Sequence, residues 1–416
     1  MILPDFLSEN QKKAIITNNC NLLIVAGPGS GKTEVITRKI AYLIKKEGIN
    51  PNNILAVTFT KKAAGEMTNR VEKLIGKGIE DLNISTIHSF CHTLIEENAE
   101  SFGLTRDFRV LDELRQFLLL FNNFDAIELN KIECNSKGNL LMDVLSHFNK
   151  LKDHNILPEE YLNNRKKTLV KFANRGTENQ KFENRIKEQV GLDLKLAISY
   201  KHYCEIMFRN KFLDYGDLIN LIIKKIKEDS NFKQDLHNKY KYILVDEYQD
   251  TNHSQEELLK LLKHSNNYIF VVGDDDQSIY RFRGAVVQNL LNFNDRYNNV
   301  KIIKLLENHR STQKIVKCTK NFISKNPYRK EKELFTKNEI GENVVFYPTT
   351  NIQDEAEFIC KKIQELIEKK IVGDFSEIAI LFRSVKNYAG QYLDTLKKYE
   401  IPYDVIGQGG FFDRKD

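Results

Sequence analysis

Four short apolar runs punctuate the chain: NLLIVAG (21–27), ILAVTFT (54–60), YKYILVDE (240–247) and NYIFVVGD (267–274). Each has the length of a strand, and stretches of helical period lie between them, so the alternation predicts a parallel α/β sheet. Ahead of the first run, Ser8 and Gln11 have the spacing of a capping box with Leu7 as a hydrophobic staple, which predicts a helix starting near Glu9.

Between Ser101 and about Tyr200 the buried-strand signal disappears. Segments such as DELRQFLLLFNNF (112–124) and EQVGLDLKLAISYKHYCEIM (188–207) read as helices among Asn- and Lys-rich loops. A helical insertion into the first sheet domain is expected there. After Lys304 a second α/β pattern begins, with strands at NVVFYPT (343–349), IAILFR (378–383) and YDVIG (403–407). Helices are expected at DEAEFICKKIQELIEKK (354–370) and YLDTLKKYE (392–400). The expected organisation is a first sheet domain from 1–100 and 201–304, a helical insertion at 101–200, and a partial second sheet domain at 305–416.

With 416 residues, several compact units are expected in place of a single core. A chain 41% hydrophobic and 29% charged is ordinary for a folded globular protein. The net charge of +6 permits attraction to phosphate backbones but is too mild to demonstrate it. The six cysteines include no C-x-x-C pair, which argues against a zinc site or a disulfide framework. The opening MILPDFLSENQKK lacks a basic leader followed by an apolar stretch, and no apolar run reaches membrane length; a cytoplasmic enzyme is expected.

The first run ends in Ala26-Gly27-Pro28-Gly29-Ser30-Gly31-Lys32-Thr33 and leads straight into a helical stretch, the context that a phosphate-binding loop requires. Glycines there let backbone N–H groups wrap phosphates at a helix N-terminus. Lys32 would reach the outer phosphates and the Thr33 hydroxyl would ligate Mg2+. At the end of another buried strand, Asp246 would hold the ion through water and Glu247 would orient and deprotonate the attacking water. A nucleotide with Mg2+ is therefore the expected small-molecule partner, and the family resemblance that follows makes that nucleotide ATP.

Asp246-Glu247-Tyr248-Gln249-Asp250 resembles the D-E-x-Q-D signature of the UvrD, Rep and PcrA helicases. Six further segments resemble that family in chain order: Gln11; Ala26 to Thr33; Ala56 to Thr60 with Lys62-Ala63-Ala64 and Glu66-Met67; Thr86 with His88-Ser89-Phe90; Gly273 to Ala285; and Leu305 to Ser311. The resemblance implies that both sheet domains are RecA-like. It also implies that Gln11 reads adenine, that Gln277 senses the γ-phosphate, that His309 takes the place of an adenine-stacking Tyr, and that Arg310 reaches the γ-phosphate from the second domain. Phe59, Tyr280 and Phe282 are candidates for stacking on bases, with ordinary core packing as the alternative, and Arg283 for a DNA contact. His88 is either a polar contact to DNA or a structural residue at a capped helix start.

Three positions depart from the family pattern: Phe282 replaces a frequent Trp in a chain that has none, His309 replaces Tyr, and Glu34 stands where Arg commonly follows the loop Thr. The last two predict weaker nucleotide binding. The family's K-G-L-E motif and its later arginine motif are not present, so the chain by itself is expected to hydrolyse ATP poorly or to need a partner chain. The resemblance implies an ATP-dependent 3'–5' translocase on single-stranded DNA and at single-strand/duplex junctions. An ATP- and DNA-binding accessory subunit that does not unwind by itself is the alternative. A P-loop kinase would leave residues 277–283 and the second α/β region unexplained. Residue chemistry alone does not separate DNA from RNA.

Overall fold

A computed structural model of the chain describes residues 3–76, 81–173 and 180–406. Those up to Glu342 form one compact unit and those from Asn343 a second.

The first unit is built on a parallel sheet of six strands: β1 (Asn21–Ala26), β2 (Ile54–Thr58), β3 (Asn83–Thr86), β6 (Tyr242–Val245), β7 (Tyr268–Gly273) and β8 (Val300–Leu305), in the order β3-β2-β6-β7-β1-β8. A separate parallel pair, β4 (Arg109–Val110) and β5 (Phe212–Leu213), ties together the points where the chain leaves this unit's sheet region and returns to it. All four apolar runs seen in the sequence are strands, and the pairings place them in one sheet.

The period of two along each strand explains the layering. Leu23, Val25, Leu55, Val57, Ile243 and Val245 share one core with the helices Ile87–Glu97 and Tyr215–Glu228. Leu22, Ile24, Ala26, Ile54, Ala56 and Leu244 share the other with α1 (Glu9–Ile16) and α2 (Lys32–Lys45). With both faces covered, the central strands are apolar apart from Asn21 and Thr58 at their ends. Each Val, Leu or Ile side chain fully removed from water contributes about 1.5–3 kcal/mol.

The edge strands β3 and β8 had no clear sequence signal. In β8, Lys301 and Ile302 are exposed while Ile303 and Leu305 are buried, so its composition is mixed. The capping box at the first helix is present: Ser8 accepts from the Gln11 N–H, and Ser8 N–H donates to Gln11 Oε1.

The region between β4 and β5 is helical in its regular elements, from Glu113–Asn122 through Gln180–Arg209, around its own core of Leu120, Leu141, Phe148, Tyr200 and Tyr203. The expected insertion boundary at 200 falls within the helix Gln180–Arg209, whose apolar stripe continues through the buried Met207. Lys152, at the end of helix Lys137–Asp153, ties this region to the start of the helix Tyr215–Glu228. Its buried ammonium lies 2.5 Å from Asp214 Oδ2 and 2.8 Å from Asp217 Oδ1, both in the capping box of the helix Tyr215–Glu228.

Residues 305–342 pack with the first unit, although the sequence pattern starts a new α/β region at Leu305. In the second unit, the helices Ile352–Glu368 and Gly390–Lys398 lie where expected, around Cys360, Ile363, Leu396 and Ile401. The three segments expected as strands there carry no strand pairing among the described residues, and Gly407 lies outside those residues. An apolar run becomes a strand only when a neighbour takes its backbone hydrogen bonds, and Phe346 and Leu381 are exposed. No helix among the described residues is long and apolar enough to cross a membrane.

Lys152→Met should destabilise the first unit by about 3–5 kcal/mol in urea denaturation, because Asp214 would be left charged and buried without its partner.

Candidate nucleotide and nucleic-acid site

Because every strand pair in the six-stranded sheet is parallel, the C-terminal ends of β1, β6 and β7 emerge on one edge, where ligands of such sheets bind. The loop after β1 turns through Gly29 (φ 67°) and Gly31 (φ 81°), left-handed conformations that cost a side-chain-bearing residue energy. Gly31 caps α2, so the loop's N–H groups gather at that helix's positive end. A side chain at Gly27 would collide with Leu334, and one at Gly29 with Asn308 and Arg310.

Lys32 Nζ lies 2.9 Å from Glu247 Oε2 and 3.4 Å from Gln277 Oε1, so residues far apart in sequence meet at one ammonium. Glu247 itself has φ 49°, an uncommon strain for a non-glycine residue and one that collects at functional sites. Asp246 is nearly fully buried, and that burial, with Glu247 beside it, pushes its pKa up to about 7. Two packed carboxylates beside a lysine and a helix N-terminus make a site suited to a cation bound with phosphate. Thr33 stands in the first turn of α2.

Gln249, to which the motif alone assigns no role, connects the site. Its Nε2 donates to Glu247 Oε2 at 2.8 Å, and its Oε1 accepts from Asp274 N–H at 2.9 Å. Gln11 donates from Nε2 to Ser30 O at 3.0 Å, so its amide buttresses the phosphate loop. Asn308, also without an assigned role, donates to Pro28 O at 2.8 Å, and His309 N–H donates to Gly29 O at 2.9 Å. The segment bearing the exposed side chains of His309 and Arg310 therefore lies across the loop.

Glu34 pairs with Arg38 Nε at 2.5 Å one helical turn on, so its charge is engaged along α2.

Phe59 and Tyr280 stack with ring centroids 5.1 Å apart, and Phe282 follows at 6.0 Å from Tyr280. Phe282 is 73% exposed, so ordinary core packing does not account for it. A cleft of about 1020 Å³ joins Phe59, Phe282, His88 and Tyr215 to Asp246 and Glu247 on one side and to Gln116 and Lys150 of the helical region on the other. The Arg283 side chain lies outside the described residues.

His88 packs edge-on against Tyr215, and the helix beginning at Ile87 is capped by Thr86, which accepts from the Ser89 N–H. Burial pushes the His88 pKa down to about 4 against the opposing pull of Asp214, so the ring is neutral at pH 7. A folded pKa below the unfolded value near 6.5 means that the unfolded chain binds more protons as pH falls from 6.5 to 4, and stability is lost over that window. His88→Gln should flatten this pH dependence, worth on the order of 2 kcal/mol, in denaturant midpoints taken between pH 6.5 and 4.

The family profile described as the UvrD/REP helicase N-terminal domain matches residues 7–298, and that of the UvrD-like helicase C-terminal domain matches residues 303–416. The ATP-dependent DNA helicase PcrA of Staphylococcus epidermidis is 36% identical over 412 residues, covering 99% of this chain and 52% of that protein. The PcrA of Bacillus subtilis is 35% identical over 411 residues (99% and 51%), and a probable DNA helicase II homolog of Mycoplasma capricolum 34% over 415 (99% and 54%). The chain spans about half the length of the curated relatives it matches. With a glycine-rich loop, a strand-end carboxylate pair and an aromatic row that ends in the exposed Phe282 on one edge of a parallel sheet, and with these two profiles covering nearly all its length, the chain belongs to the UvrD/Rep family of ATP-dependent DNA helicases.

Proposed function

We propose that this chain binds ATP with Mg2+ and single-stranded DNA as part of a motor that moves 3' to 5' and separates duplexes. The observation that carries the reading is the meeting of Lys32, Glu247 and Gln277 at one point, beside a cleft that leads to Phe59 and Phe282. Backbone N–H groups of residues 29–33 and the Lys32 ammonium would hold the phosphates, and the His309 N–H contact to Gly29 O keeps Arg310 close enough to act from the far side. Thr33 and Asp246 would hold Mg2+, which supplies neutralisation of phosphate charge.

A phosphate oxygen competes with Glu247 for the Lys32 ammonium, and the released carboxylate can then orient a water and take its proton. Gln277 is suited to sense the γ-phosphate because its amide already lies against Lys32. It sits four residues before Arg281 in the segment that carries Tyr280 and Phe282, so a shift on hydrolysis would move the aromatic row along the strand. In this reading the region from Leu305 belongs to the second RecA-like domain even where it packs with the first. Gln11 and His309 would flank the adenine.

Steady-state ATP hydrolysis should be stimulated by single-stranded DNA, and Glu247→Gln should lower turnover by about 10²-fold or more while retaining nucleotide binding. Binding of both ligands without turnover in the unaltered chain would instead favour the accessory-subunit reading. Phe282→Ala should weaken binding of a labelled oligothymidylate by roughly 1–3 kcal/mol in fluorescence anisotropy, with nucleotide affinity unchanged.

A further inference from the structure

We infer that Lys332 is a positioning residue for the nucleotide site: it fixes Asp274, and Asp274 in turn aims the Gln277 amide at Lys32. This rests on the reading of the site as an ATP site.

Three successive carboxylates, Asp274, Asp275 and Asp276, follow β7, and packed together they repel one another. The cations that hold them come from one stretch of chain. Lys332 Nζ, with no solvent exposure, lies 2.6 Å from Asp274 Oδ1, 2.6 Å from Asp275 Oδ1 and 3.0 Å from Asp276 Oδ2. Arg329 takes Asp276 with two bonds, at 2.9 and 2.7 Å, and Lys330 N–H donates to Asp275 Oδ2 at 2.7 Å. A lysine this deep persists only when its charge is fully matched, so the arrangement has little freedom to rearrange piecemeal.

The second oxygen of Asp274 faces the site. Oδ2 accepts from Gln277 Nε2 at 2.7 Å, and Gln277 Oε1 accepts from Lys32 Nζ at 3.4 Å. A carboxylate only accepts and an ammonium only donates, so the Gln277 amide has one orientation consistent with both neighbours. The terminal torsion of a glutamine is otherwise broad, and Asp274 removes that freedom. Lys332 is too buried to reach a nucleotide and acts through these two side chains.

The experiment measures dissociation constants of the full chain for Mg2+·ATPγS and Mg2+·ADP, by competition with a fluorescent nucleotide, in four proteins. The unaltered chain should prefer the triphosphate. Lys332→Met should lose about tenfold in ATPγS affinity while ADP affinity stays within twofold. Asp274→Asn guards against a folding failure, because Lys332 keeps two carboxylates. Its amide, accepting from Lys332, turns an NH2 toward the Gln277 NH2 and forces that side chain to flip, so the same loss of triphosphate preference is expected. Arg329→Ala loosens the same stretch without touching Asp274 and should retain the preference. If Lys332→Met and Asp274→Asn keep the unaltered ratio, or lose ATPγS and ADP affinity equally, the positioning role is overturned while the ATP site stands. If the unaltered chain binds neither nucleotide, the ATP-site reading fails and this inference with it.

Discussion

A parallel sheet covered on both faces has nowhere to place chemistry except at its strand ends, and everything functional in this chain follows from that constraint. The central strands use every side chain for packing: β1, β2 and β6 are buried along their whole length. Polar groups are displaced to the turns after the last apolar residue, where Gly27 follows β1, Asp246 follows β6 and Asp274 follows β7. Parallel pairing then brings those turns to the same edge, and the Lys32–Glu247 pair is the contact that results.

The site is held by neutral amides as much as by charge. Gln11 braces the phosphate loop, Gln249 links Glu247 to Asp274, Gln277 links Asp274 to Lys32, and Asn308 fixes the segment that crosses the loop. Amides suit this task because each offers both donor and acceptor and can bridge carboxylate to ammonium without adding charge to a crowded electrostatic site. Tyr280 and Phe282 of the aromatic row follow within a few residues of Gln277, so the parts proposed to bind nucleotide and DNA strand share one short stretch of backbone.

Much of this was legible in the linear chain. The four core strands are apolar enough to read directly, the phosphate loop is a local motif whose glycines are needed for local conformation, and the Asp246-Glu247 pair is marked by its place at a strand end. Edge strands β3 and β8 were not legible, because a strand with one solvated side carries polar residues that dilute the signal. The apolar runs of the second unit were legible as runs, but strand formation depends on partners that a run does not specify.

What the sequence by itself determined is local: which segments can be strands or helices, where glycines free the backbone to wrap a ligand, and which side chains carry chemistry. What only the tertiary structure decided is which of those side chains meet and in what state. His88 is held neutral, and Lys332 is buried against three aspartates more than fifty residues away in the chain. Contacts of that separation depend on how the sheet and its helices pack, and burial then sets the charge of each group by removing the water that would otherwise solvate it.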